Sequence, residues 1–206
     1  MNTYFHERLA KLGITEAENK IMLWRYDAEA KQNVLKEETI FKPHEKGIEI
    51  IVYTLQRENI RIEKDGSRYK KNWSIIRLEN PLVKPNGDTL KYVMPKGSGS
   101  YPLIPPSLIE KFETKTPIDT LYLTEGYFKC FKGAMHGIDI IGLASITHLK
   151  NKETGALHSD VLAIIRSCSV KRVVWLTDGD CLDISSKAFA DNPKDSKDEV
   201  VDLYKR

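Results

Sequence analysis

Two apolar runs in this chain end on carboxylates, and the stretch between them alternates helix with strand. The first, Leu121-Tyr122-Leu123-Thr124, stops at Glu125-Gly126. The second, Val173-Val174-Trp175-Leu176, stops at Thr177-Asp178-Gly179-Asp180, and 53 positions separate Glu125 from Asp178. The pattern predicts strands over 118–124, 138–143 and 172–177, with helices over 126–136 and 156–168 and a polar loop through 155. Strand, crossover helix and further strand is the order of a parallel sheet with right-handed connections. In such a sheet ligands sit outside the carboxyl ends of the strands. The expected sheet therefore presents Glu125, Asp178 and Asp180 along one edge. Three carboxylates gathered there repel one another unless a cation lies between them, and hard oxygen donors suit Mg²⁺ or Mn²⁺.

At 206 residues the chain has room for one large domain or two small ones. No apolar run reaches the roughly 20 residues of a bilayer-spanning helix. The opening Met1-Asn2-Thr3-Tyr4-Phe5 lacks the basic-then-apolar order of a signal peptide. Cys130, Cys168 and Cys181 are widely spaced and form no CxxC pair, which points to reduced thiols in a cytoplasmic protein rather than a structural zinc. A net charge of +3 does not announce a nucleic-acid partner, but its distribution is uneven. Residues 57–96 hold ten Lys or Arg against five acids, and 117–206 hold twelve against thirteen. A basic segment joined to an acid-tipped one suits a protein that grips a phosphate backbone in one place and a metal in another. An ordinary solvated β surface is the competing reading of the same charges.

Upstream, residues 4–31 read as helical: Thr15 with Glu18 has the spacing of a capping box, and Ile21-Met22-Leu23-Trp24 supplies apolar positions. Residues 32–46 read as a polar connection, so 1–47 is expected to be an N-terminal helical segment. From 48 the composition turns to β-branched residues. Strands are expected over 48–55, 69–78 and 90–94, with turns at Asp65-Gly66 and at 85–88. This gives a small antiparallel β subdomain over 48–116 that ends in a Gly/Ser/Pro stretch. Its Lys64, Arg68, Lys70, Lys71, Arg77, Lys91 and Lys96 are candidates to track a nucleic-acid backbone. Tyr69, Trp73 and Tyr92 lie among them and could stack on bases, or, for Trp73, fill the β core. The third segment, 117–206, ends in a charged tail whose helical pattern stops midway, and a further strand is expected beyond it.

Glu125-Gly126-Tyr127-Phe128, the amphipathic helix after it and the glycine-marked strand Ile140-Ile141-Gly142 resemble the first motif of the toprim domain. Asp178-Gly179-Asp180, after its apolar strand, matches that family's Asp-x-Asp motif. Both motifs are most similar in form to those of bacterial replicative primases. The stretch 90–100 resembles the segment that joins basic subdomain to toprim in primase-like proteins of phages, plasmids and conjugative elements. The likeness covers residues 48–185. It implies an α/β fold: a toprim-like parallel sheet with flanking helices over 117–206, preceded by a small α+β (antiparallel β) subdomain. It also implies Glu125 as a metal ligand or general acid/base beside the transferred phosphate, Asp178 and Asp180 as ligands of Mg²⁺ or Mn²⁺, and Asp183 as a later acid. Gly126 and Gly179, without side chains, let a phosphate or ion approach the backbone, and the helix beginning at Gly126 favours anions at its N-terminus. Two departures stand out. Lys129 occupies the place of a customary acid, where it could pair with Glu125 or bind a phosphate. Cys181-Leu182-Asp183 replaces the small, basic residues that usually follow Asp-x-Asp.

The function this implies is primase-like nucleotidyl transfer on single-stranded DNA, in replication of a bacterial mobile element or phage. Its substrates would be nucleoside triphosphates, and its partner a replicative helicase or a helicase domain of the same polypeptide. Two alternatives use the same residues: a toprim nuclease, and a non-catalytic toprim-like nucleic-acid-binding module of a replication protein.

Overall fold

The computed structural model describes residues 3–63, 70–85, 87, 89–96, 98–145, 148, 150 and 155–176. Helix α1 (Thr3–Leu12) buries Phe5 and Leu9, one turn apart on one face. Strands β1 (Lys20–Asp27) and β2 (Gln32–Thr39) then form a hairpin. The next elements are β3 (Phe41–His44), β4 (Gly47–Ile51), β5 (Arg61–Glu63), β6 (Lys70–Asn72), β7 (Ser74–Val83) and β8 (Thr89–Val93). Of these, β3-β4-β7-β8 make a four-stranded antiparallel sheet in that order, and β5 pairs with β6 as a separate hairpin. The expected turn at Asp65-Gly66 lies outside the described residues.

Helix α2 (Pro106–Thr114) leads into β9 (Thr120–Glu125), α3 (Tyr127–Met135), β10 (Ile140–Leu143), α4 (Ser159–Ser167) and β11 (Arg172–Leu176). The three strands form a parallel sheet in the order β10-β9-β11, so β9 is central. The chain is thus mixed α/β, with antiparallel sheets preceding a parallel one. The compact body ends at Val174, and of the residues beyond it Trp175 and Leu176 are described. No helix among the described residues is long and apolar enough to cross a membrane.

The N-terminal segment differs from expectation. Only Thr3–Leu12 is helical, and the remainder of the expected helix, with the expected connection after it, is the β1–β2 hairpin and β3. Ile21 and Leu23 are buried, while Met22 and Trp24 remain 39% and 42% exposed, which is the two-residue period of a strand. The capping-box bonds do form. The Thr15 N–H and hydroxyl both donate to Glu18 Oε2, at 2.8 and 2.7 Å, and the Glu18 N–H returns to Thr15 Oγ1 at 3.3 Å. They close a turn that enters β1 instead of a helix. Across the hairpin Lys20 pairs with Glu37, Lys36 with Asp27 and Arg25 with Glu38, so these charges line a β ribbon.

The Gly/Ser/Pro stretch is irregular, as expected, yet its second half is packed. Leu103 and Ile104 are fully buried. Leu103 exchanges both backbone hydrogen bonds with Gly142, at 2.8 and 3.0 Å, and so covers the free edge of β10.

Helix α3 is held from two sides. Phe41 stacks on Phe128, with centroids 4.7 Å apart, and meets Phe131 edge-on at 5.0 Å. Opposite, Gly142 lies so close to α3 that a Cβ there would stand 2.6 Å from Cβ of Cys130. Gly142→Ala should therefore push α3 off β10 and lower stability by about 1–3 kcal/mol, as overpacked cores do. Thermal unfolding of the variant checks this, and an unchanged melting temperature would contradict the packing described.

Candidate functional site

Strand β9 buries Leu121, Leu123 and Thr124 and delivers Glu125, half-buried, to its carboxyl end. In the parallel register Glu125 stands beside Leu143, the last residue of β10. The chain turns sharply at the next residue. Gly126 has φ +97°, a conformation that side chains disfavour, and its N–H donates to the Leu143 carbonyl at 2.8 Å. Helix α3 begins at once, with no side chain capping its first turn. The open N–H groups of such a turn favour anions.

Lys129 folds back over this turn. A Cβ built on Gly126 would lie 3.1 Å from Cε and 4.0 Å from Nζ of Lys129, so the exposed ammonium stands over the glycine. Tyr127 is buried and donates its hydroxyl to the Tyr101 carbonyl at 2.6 Å, and burial pushes its phenol up. Burial likewise pushes up the Cys130 thiol, which makes it a packing residue and not a nucleophile.

Glu125, Gly126 and Lys129 are thus brought together. Asp178, Gly179, Asp180 and Asp183 lie outside the described residues, as do Lys64 and Arg68. Among the described residues no three His, Cys, Asp or Glu side chains gather around a point that could hold a metal. Glu125 contributes a hard oxygen donor of the type that Mg²⁺ or Mn²⁺ takes.

The basic candidates that are described do not form one stripe. Lys70 and Lys71 belong to the β5–β6 hairpin, Lys71 being exposed. Lys91 and Lys96 are exposed on β8 and just after it. Arg77 is half-buried on β7, opposite Tyr92. Tyr92 and Lys91 are consecutive on a strand and point to opposite faces. Trp73 is fully buried, donates Nε1–H to Ser98 Oγ at 2.8 Å and packs edge-on against Tyr101, so it fills the core and is not a base-stacking platform.

Sequence reasoning passed over Arg8 and Tyr4. Both are on α1 at i,i+4 spacing, hence on one face. Arg8 Cζ lies 5.8 Å from the ring centroid of Phe128, the second residue of α3. The only signal in the sequence was that spacing beside the buried Phe5 and Leu9.

No family model, curated protein or solved structure matches the chain.

Helix α4, which feeds β11, is capped by a titratable group. His158 Nδ1 accepts the Asp160 N–H at 3.3 Å, and burial holds the imidazole below its ordinary pKa against the pull of Asp160. The unfolded chain takes up this proton near pH 6.5, before the folded one does. The cap is fully present above that pH and is lost as pH falls through the lower folded-state value. Acidification should therefore cost about 1 kcal/mol, the worth of a cap. Melting temperatures across pH 5–8 check this: the His158→Asn curve should lose the part of the slope seen in the wild type. Identical slopes would contradict the cap.

Proposed function

We propose that the chain carries out divalent-metal-dependent nucleotidyl transfer of the toprim, primase-like type on single-stranded DNA. The observation that supports this best is the carboxylate of Glu125 at the carboxyl end of the central parallel strand, followed directly by a sharp glycine turn and a helix whose N-cap residue offers no side-chain cap. That arrangement offers one group for a cation and an adjacent one for a phosphate. In the sequence, Asp178 and Asp180 follow the last residue of β11 by two and four positions. They are the residues we assign, with Glu125 and with Asp183 as a further acid, to the metal.

Mg²⁺ or Mn²⁺ bound there would neutralise phosphate charge and activate an attacking hydroxyl. Glu125 holds or receives the proton beside the reacting phosphate. The Gly126 and Gly179 backbone and Lys129 contact phosphate oxygens. Lys71 on β6, Lys91 on β8 and Lys96 just after β8, all exposed, are assigned to the template strand, together with Lys64, Arg68 and Lys70. A helicase, separate or in the same polypeptide, is the partner this activity calls for.

The position of Lys129 favours a second reading. An ammonium over the first turn of α3 attracts phosphate but opposes a cation, which suits a non-catalytic nucleic-acid-binding module. A nuclease would use the same acids to direct water at a phosphodiester.

Calorimetric titration of Mn²⁺ or Mg²⁺ into the wild type and into Asp178→Asn/Asp180→Asn separates these readings. Metal binding that weakens at least about tenfold in the variant, with primers that lengthen when nucleotides are supplied, is the expected result; a tenfold change corresponds to about 1.4 kcal/mol. Shortening of the DNA would indicate the nuclease. Absence of metal binding even with single-stranded DNA and nucleotide present would overturn the catalytic assignment and leave the binding module.

A further inference from the structure

We propose that Arg8 and Arg77, with the hydroxyls of Tyr4 and Tyr92, form a seat for a phosphate group beside the start of α3. Arg77 occupies an unusual place for a charge. It stands in the middle of the antiparallel sheet, paired with Ile48 on β4 and with Tyr92 on β8. Its Cζ lies 4.8 Å from the Tyr92 ring centroid, and the hydroxyls of Tyr4 and Tyr92 lie against its guanidinium. Arg8 reaches the same region from α1, over Phe128. Tyr4, one turn before Arg8 on α1, donates its hydroxyl to the Leu78 carbonyl at 3.5 Å, which sets this face of the helix beside Arg77. Four elements, α1, β7, β8 and α3, therefore meet at two positive charges.

Among the described residues neither guanidinium has a carboxylate partner, although the hydroxyls of Tyr4 and Tyr92 bond that of Arg77. The Nε atoms of Arg8 and Arg77 are buried and have no hydrogen-bond partner among the described residues. Two other partly buried arginines of this chain are neutralised: Arg25 by Glu38 and Arg57 by both carboxylate oxygens of Glu113. A buried donor left unsatisfied costs its desolvation, more so when it is charged, and each such group calls for an explanation. A phosphate supplies what is missing: negative charge and several acceptor oxygens matched to the guanidinium fork. The Tyr92 hydroxyl can add a donor, whereas that of Tyr4 already donates to the Leu78 carbonyl. Cation–π contact with Tyr92 and Phe128 accounts for the position of the guanidinium planes but leaves the Nε donors unmet.

The seat involves none of the carboxylates assigned to the metal, so it is tested in EDTA, where failure of the metal reading has no influence. Two probes carry the shared chemistry: a labelled single-stranded oligodeoxynucleotide followed by fluorescence anisotropy, and ATP as ligand or competitor. The proteins are the wild type, Arg8→Gln, Arg77→Gln and the control Lys171→Gln, which removes an exposed lysine paired with Asp119. Each arginine variant should lose about tenfold or more in affinity, and the salt dependence should flatten by about one phosphate contact per arginine. Lys171→Gln should bind as the wild type does. Displacement of the oligonucleotide by ATP would assign the seat to nucleotide phosphates; oligonucleotide binding indifferent to ATP would assign it to the strand backbone. The proposal is overturned if the wild type binds neither probe, or if both arginine variants bind like the wild type. Circular dichroism establishes folding, and should Arg77→Gln fail to fold, Arg8→Gln, on the half-exposed helix, decides alone.

Discussion

Phe41 is fully buried between two rings of α3, stacked on Phe128 and edge-on to Phe131, and this contact joins the antiparallel sheet to the parallel one. Its backbone is fixed from behind by Asn19, a buried side chain that accepts the Phe41 N–H at 2.8 Å and donates to its carbonyl at 2.9 Å. Aromatic pairs of this geometry contribute about 0.5–1.5 kcal/mol each beyond their burial. The larger consequence is positional. With Cys130 seated against Gly142 on the other side, α3 has no room to slide, and its first turn is presented at a fixed place beside Glu125.

That fixed turn is where the charges of the chain become specific. Glu125 brings one negative charge to the end of β9, Lys129 sets a positive one over Gly126, and Arg8 on α1 and Arg77 on β7 have no carboxylate partner among the described residues. Away from bulk water such charges interact more strongly than on an open surface. The two proposals together put an anion between the arginines and the helix N-terminus, with a cation at the carboxylate. A nucleotide or a nucleic-acid strand together with a divalent metal has that distribution.

Much of the parallel unit was legible in the sequence because its signals are local. The runs at 118–124 and 172–177 are short, β-branched and bounded by polar residues, and Gly126 and Gly142 mark the two places where backbone must turn or be approached closely. The β1–β2 hairpin was not legible because both of its faces carry apolar residues. Ile21 and Leu23 point inward, but Met22 and Trp24 on the outer face hide the two-residue period. The Thr15–Glu18 box forms as written, yet such a motif fixes only its own turn and not the element after it. The seat at Arg8 and Arg77 was illegible for a different reason. It joins residues 69 positions apart through a packing of α1 on the sheet that no local pattern encodes. Trp73, which the sequence left open between base platform and β core, is core, and Ser98, 25 positions on, satisfies its N–H.

The most direct measurement is Mn²⁺-induced broadening of backbone amide signals, recorded for the wild type and for Glu125→Gln. Selective loss of the Gly126 and Tyr127 amide signals at substoichiometric Mn²⁺, abolished by Glu125→Gln, is the predicted result and would locate a cation at the end of β9. Broadening that leaves those amides sharp, or that persists unchanged in Glu125→Gln, would contradict it.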